Sequence, residues 1–217
     1  MLERLLSAKL DRPTVQVFLV DMSKKQTPPA WPDKEHRTGS DAQLHAMGQI
    51  SLIYNELEEW LSFLFEQLFP ASLSASKSLY NRLNNRDRVD LLTATVEVNE
   101  EDEILRDHIL WALRCFDICN ANRNTLLHAR SEYYRNAKTF RLLKQARDDP
   151  TVDQEYPLRL SELRSVADDM ARTLDFMVYL HAHIHDLRPP PNAILGPKPE
   201  PLPRKPPKPK RLIPRRG

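Results

Sequence analysis

Two cysteines are all the chain contains, too few for a disulfide framework or a zinc quartet. Cys115 and Cys119 stand four apart inside a helical pattern, so both fit one buried face and read as core thiols. Also missing is any run near the roughly 18 apolar residues that a bilayer crossing requires. Glu3, Arg4, Lys9 and Asp11 stand where a secretory leader would be apolar. These absences predict a soluble, cytoplasmic protein with no membrane partner. A length of 217 residues gives room for one core with appendages. No internal repeat is visible.

The net charge of +2 conceals a division. From Arg188 onward nine Lys or Arg face a single acid, Glu200, a net of +8; the preceding residues hold 23 basic and 29 acidic side chains, a net of −6. The folded part is therefore mildly acidic, and any sequence-independent attraction to phosphates resides in the tail.

The organisation reads as an N-terminal extension over 1–39, a helical bundle over 40–187 and a tail over 188–217. In the extension only fragments of pattern appear, and Pro28, Pro29 and Pro32 oppose regular structure. Ser40 is a good N-cap with Asp41 behind it, both suited to a helix start. The stripe Met47, Ile50, Tyr54, Leu57, Leu61, Leu64, Leu68 then steps by three and four until Pro70, which stops the helix. A second helical region spans about 74–98, interrupted at Asn84 and Asn85. Glu100 to Glu103 supply an acidic first turn for a third long helix with stripe Leu105, Ile109, Ala112, Phe116, Cys119, an arrangement the helix dipole explains without a metal. Alternation through Phe140 and Leu142, the Asp148-Asp149-Pro150 turn signal and Tyr156 to Leu160 suggest a small hairpin-like insertion. A last amphipathic helix starts near Ser161. The expectation is an all-α fold of four to five helices.

Eleven of the eighteen prolines fall in the last thirty residues, so the tail is expected to be disordered, sampling polyproline II. Within it Pro203-Arg-Lys-Pro206-Pro-Lys208 fits a PxxPx(K/R) ligand for SH3-like grooves, which would make the tail a recruiting arm for a protein partner; such a match arises easily in proline-rich sequence, and a solubilising or anion-attracting tail is the favoured reading. Without aromatic residues, its charge allows only weak, salt-sensitive contact with RNA.

Extending the third helix's stripe one step past Cys119 reaches Arg123, a permanent charge where the pattern asks for an apolar residue. Such a group must be paired, reach solvent along its stem, or serve a site. Asn120, Asn122 and Asn124 surround it, and His128 follows five residues later. Arg123-Asn124-Thr125-Leu126-Leu127-His128 resembles the Arg-x(4 to 6)-His signature of the HEPN superfamily (higher eukaryotes and prokaryotes nucleotide-binding domains), including the polar residue directly after the arginine. Its place at the end of the penultimate long helix, before a final amphipathic one, is similar to the HEPN four-to-five-helix layout over roughly 40–187.

The resemblance implies a metal-independent endoribonuclease, without cofactor, whose two protomers bring two motifs into one cleft. A toxin or defence setting is implied by family likeness alone. In that reading His128 moves a proton at the ribose 2′-hydroxyl or the leaving 5′-oxygen. Arg123 holds the scissile phosphate, Asn124 positions either group, and the products are a 2′,3′-cyclic phosphate and a 5′-hydroxyl. In an unbroken helix a five-residue offset leaves Arg123 and His128 about 140° apart. Either the helix breaks near Asn124 and Thr125, or the groups meet across a homodimer. The alternative is a non-catalytic dimeric scaffold, with Arg123 paired to a helix-borne carboxylate, Asn124 capping a helix end and His128 an interior histidine. His181 and His185 share a helix face at i and i+4, but nearby ligands are missing, and histidines near a helix C-terminus suit the dipole.

Overall fold

The structure is a computed structural model that describes residues 39–132, 139–146, 151–187 and 201–215. The Asp148-Asp149-Pro150 turn, and the N-terminal extension apart from Gly39, lie outside the described residues.

Five helices and three strands follow one another among the described residues: α1 (Asp41–Leu68), α2 (Leu73–Tyr80), α3 (Asn85–Asn99), α4 (Glu103–His128), β1 (Arg130–Glu132), β2 (Thr139–Gln145), β3 (Asp153–Arg159) and α5 (Leu160–Leu187). Local chemistry sets the boundaries. Ser40 Oγ accepts from the Gln43 amide at 3.3 Å while Gln43 Oε1 accepts from the Ser40 amide at 2.9 Å, the reciprocal capping box that satisfies two orphan donors. Asn84 caps α3 through the Asp87 amide, so the interruption expected at Asn84 and Asn85 is a helix start. Asp102 Oδ1 accepts from the amides of Ile104 and Leu105 at 2.9 and 3.1 Å. The acidic run is thus, at least in part, a capping device.

The hairpin-like insertion is a three-stranded antiparallel meander, β1-β2-β3, whose first strand leaves directly from α4. Phe140 and Leu142 of β2 stand opposite Leu158 and Tyr156 of β3, and all four are buried, the alternation expected of a half-covered sheet. A side chain at Gly39 would meet the Phe140 ring at 3.2 Å, so β2 sits against the turn that opens α1. The fold is mainly helical, as expected, with this small sheet appended.

α1 packs chiefly along α5, and α4 touches α1, α3 and α5. The anticipated stripe of α1 is buried from Ile50 to Leu64, and Met170, Met177, Leu180 and Ile184 of α5 meet it in one core. Phe116 on α4 is fully buried; truncating such a ring costs about 3 to 5 kcal/mol. No described helix is long and apolar enough to cross a membrane.

Residues 201–215, within the tail expected to be disordered, take a defined course in the structure. This segment lies on the outer side of α4 and α5 in the same direction as α4. Lys205 pairs with Asp107, Trp111 Nε1 donates to the Pro206 carbonyl at 3.2 Å, and Arg211 Nη2 meets Asp117 at 2.9 Å. Farther along, the Arg215 amide donates to the Glu155 carbonyl of β3 at 2.8 Å. The physical reason is that α4 carries a second stripe, Trp111, Cys115, Ile118 and Asn122, away from the core-facing one. Such a stripe must be covered, and the acidic body attracts the one strongly basic segment of the chain.

Candidate functional site

Arg123, Asn124 and His128 occupy the last two turns of α4, which stays helical through His128. The helix does not break, and the pair meets within one chain: Arg123 Nη1 lies 3.2 Å from His128 Nε2. A five-residue rise of about 7.5 Å is spanned because arginine's long stem reaches along the helix while the histidine is its last residue. The same Nη1 donates to Asn124 Oδ1 at 3.1 Å. With the guanidinium as donor, His128 Nε2 is the acceptor and the ring proton belongs on Nδ1. Arg123 and Asn124 are half-buried, and His128 is exposed.

A polar ladder holds this cluster from beneath. Asn124 Nδ2 donates to Asn120 Oδ1 at 3.1 Å, one turn earlier, and that oxygen also accepts the Tyr54 hydroxyl at 2.7 Å. The Tyr54 oxygen in turn accepts from Asn85 Nδ2 at 2.6 Å, and Asn85 also bonds Glu58 and Arg88. Arg88 Nε donates to the Tyr80 carbonyl at 3.0 Å, and the Tyr80 hydroxyl returns to the Glu58 carbonyl at 2.8 Å. Side chains from α1, α2, α3 and α4 are thus joined in one network, which fixes rotamers more firmly than any single bond. Burial, with the Glu58 charge adding, holds the Tyr54 phenol well above its ordinary range, and burial pushes Tyr80 up to about 12. Both remain proton donors near neutrality.

Arg123 is additionally placed over the Tyr54 ring, its guanidinium carbon 5.1 Å from the centroid, a favourable face contact. Among the described residues no carboxylate ion-pairs with Arg123, and its buried Nε has no hydrogen-bond partner. Lys144 of β2 reaches the Asn124 carbonyl at 3.5 Å. The site therefore offers the Arg123 guanidinium, which no carboxylate pairs among the described residues, next to an exposed imidazole. That combination can bind an anion and exchange a proton beside it.

The helical pattern groups Asn122 with Asn120 and Asn124, but the structure separates it. Asn122 is buried on the far side of α4, where Nδ2 donates to the Lys210 carbonyl and Oδ1 accepts the Leu212 amide, each at 2.8 Å. Sequence reasoning did not single out Glu58, Arg88 or Lys144 for the site, and it took Tyr54 as core alone. A signal for Tyr54 existed, since a buried phenol needs a partner for its hydroxyl. His181 packs its ring on Trp60 and Phe63, with centroids 5.3 and 5.9 Å away, and stacks 6.4 Å from His185. Burial and the His185 charge lower its pKa, the behaviour of an aromatic packing residue. Comparisons of the chain with family models, curated proteins and solved structures returned no match.

Proposed function

We propose that this protein is a HEPN-like, metal-independent endoribonuclease that uses Arg123, Asn124 and His128 and acts as a homodimer in the cytoplasm. The observation that carries the reading is the 3.2 Å approach of Arg123 Nη1 to His128 Nε2 at the exposed end of α4. Transesterification of RNA requires a base at the 2′-hydroxyl, an acid at the leaving 5′-oxygen and a cation at the phosphate. Attack of the 2′-oxygen on phosphorus forms the cyclic phosphate as the bond to the 5′-oxygen breaks, and that oxygen leaves with a proton. When a phosphate oxygen takes the Arg123 fork, His128 Nε2 is released to accept or deliver that proton. One motif carries one such imidazole, so pairing two protomers supplies both roles. Asn124 keeps the guanidinium aligned through its 3.1 Å bond.

The test is cleavage of a labelled single-stranded RNA in EDTA by the wild-type protein and by His128→Ala and Arg123→Ala variants matched for fold and oligomeric state. Wild type is expected to leave 2′,3′-cyclic phosphate ends, with each variant slower by on the order of 10² to 10³. Equal inertness of all three across varied RNAs would replace this reading with the non-catalytic scaffold.

A further inference from the structure

The outer face of α4 recognises its bound tail by features a receptor would use. Asn122 takes the Lys210 carbonyl and the Leu212 amide together, which reads extended backbone independently of side chain. Trp111 offers its indole N–H to the carbonyl of Pro206, a group that proline still possesses when its amide hydrogen is missing. Asp107 and Asp117 receive Lys205 and Arg211, and Asp169 of α5 accepts the Lys210 amide at 3.1 Å.

The spacings agree. From Trp111 to Asn122 the helix rises about 16 Å, and the span from Pro206 to Lys210 and Leu212, the two residues Asn122 holds, covers about 12 to 19 Å at polyproline pitch and so brackets that rise. The helix is thus a ruler for a polyproline-like strand. The contacts are mostly polar and rim-like: of residues 201–215 only Pro209 is buried, while Lys208, Lys210 and Arg211 are exposed. Exposed pairs of this kind contribute little each, so the segment is held by register and by tethering more than by burial.

We infer that the α4–α5 face is a recognition groove for proline-rich basic peptides in trans, which this chain's own residues 201–215 fill as an exchangeable ligand. The partner it fits is an extended segment with a Lys, a proline directly after it, and an Arg six residues beyond that Lys. It is the receptor half of the interaction for which the tail's PxxPx(K/R) pattern is the ligand half. A tethered ligand acts at about millimolar effective concentration, so a free peptide competes poorly until the tether is cut or the bound tail weakened.

A protease site placed between residues 190 and 196 of the full chain allows cutting after folding. A fluorescent peptide of residues 201–217 is then titrated and followed by anisotropy. The expected result is saturable binding with a Kd in the micromolar range. An uncut chain should need on the order of a hundredfold more peptide. A peptide with one residue inserted between positions 206 and 211 should bind at least tenfold more weakly, because its two halves no longer match the ruler. Trp111→Phe in the protein should have a similar effect. Should cutting disturb the fold, an uncut chain carrying Lys205→Glu and Arg211→Glu in its own tail presents the same groove for the same titration. No saturable binding to either protein, or equal binding of a scrambled peptide of the same composition, overturns the inference.

Discussion

Tyr54 and Asn120 meet across the α1–α4 interface through a 2.7 Å hydrogen bond, and Asn120 passes that restraint to Asn124 at 3.1 Å. The exposed motif is therefore anchored to a fully buried ring. Tyr54→Phe keeps the ring and removes the hydroxyl, so Asn85 loses one acceptor while Asn120 keeps Asn124. The expected loss is about 1 to 3 kcal/mol, read as a lower urea midpoint at an unchanged m-value. An unshifted midpoint would mean that the ladder adds no stability.

Arg123→Lys preserves the charge but removes the planar fork that reaches Asn124 and His128 from a single nitrogen. Because Arg123 Nε is buried without a partner, the change is expected to leave stability within about 0.5 kcal/mol or raise it slightly. Under the proposed ribonuclease reading, cleavage falls on the order of 10². Parallel denaturation and single-turnover cleavage separate the two effects; a variant that loses both together would mark Arg123 as a structural residue.

Burial pushes Cys115 up to about 11 and Cys119 up to about 12, against a usual thiol value of 9.0. At pH 8 this leaves thiolate fractions on the order of 10⁻³ and 10⁻⁴. Alkylation followed by mass spectrometry is therefore expected to be slow in the native protein and fast in urea. The sign for stability follows from folded values above unfolded ones. The contribution is fully present below pH 9 and is lost as the pH rises through 11 and 12. Rapid native labelling of Cys115 alone, with Cys119 protected, would report that the tail lifts from α4.

Much of the helical framework was legible because its signals are local. Ser40, Pro70, Asn84 and the acidic start of α4 act within one turn of themselves, and the stripe of α1 is periodic. The sheet was half legible: β2 and β3 alternate, whereas β1 has three residues and depends on pairing with β2. Arg123 stood out as a charge on an apolar stripe. Its closeness to His128 did not, because helical-wheel angles omit the reach of a long side chain. The order of residues 201–215 was hidden for a different reason. Proline-rich chain has no periodicity, and the signal for its docking lay on α4, where Trp111, Cys115, Ile118 and Asn122 form a second stripe that the first one obscured.

The tail's position has a consequence for the timing of synthesis. Trp111 precedes its partner Pro206 by 95 residues, and Asp117 precedes Arg211 by 94. At about 5 to 20 residues per second, the outer side of α4 emerges on the order of 5 to 20 s before the segment that covers it. During that interval a nascent chain with its core already gathered would show its indole and its acidic row to the surroundings.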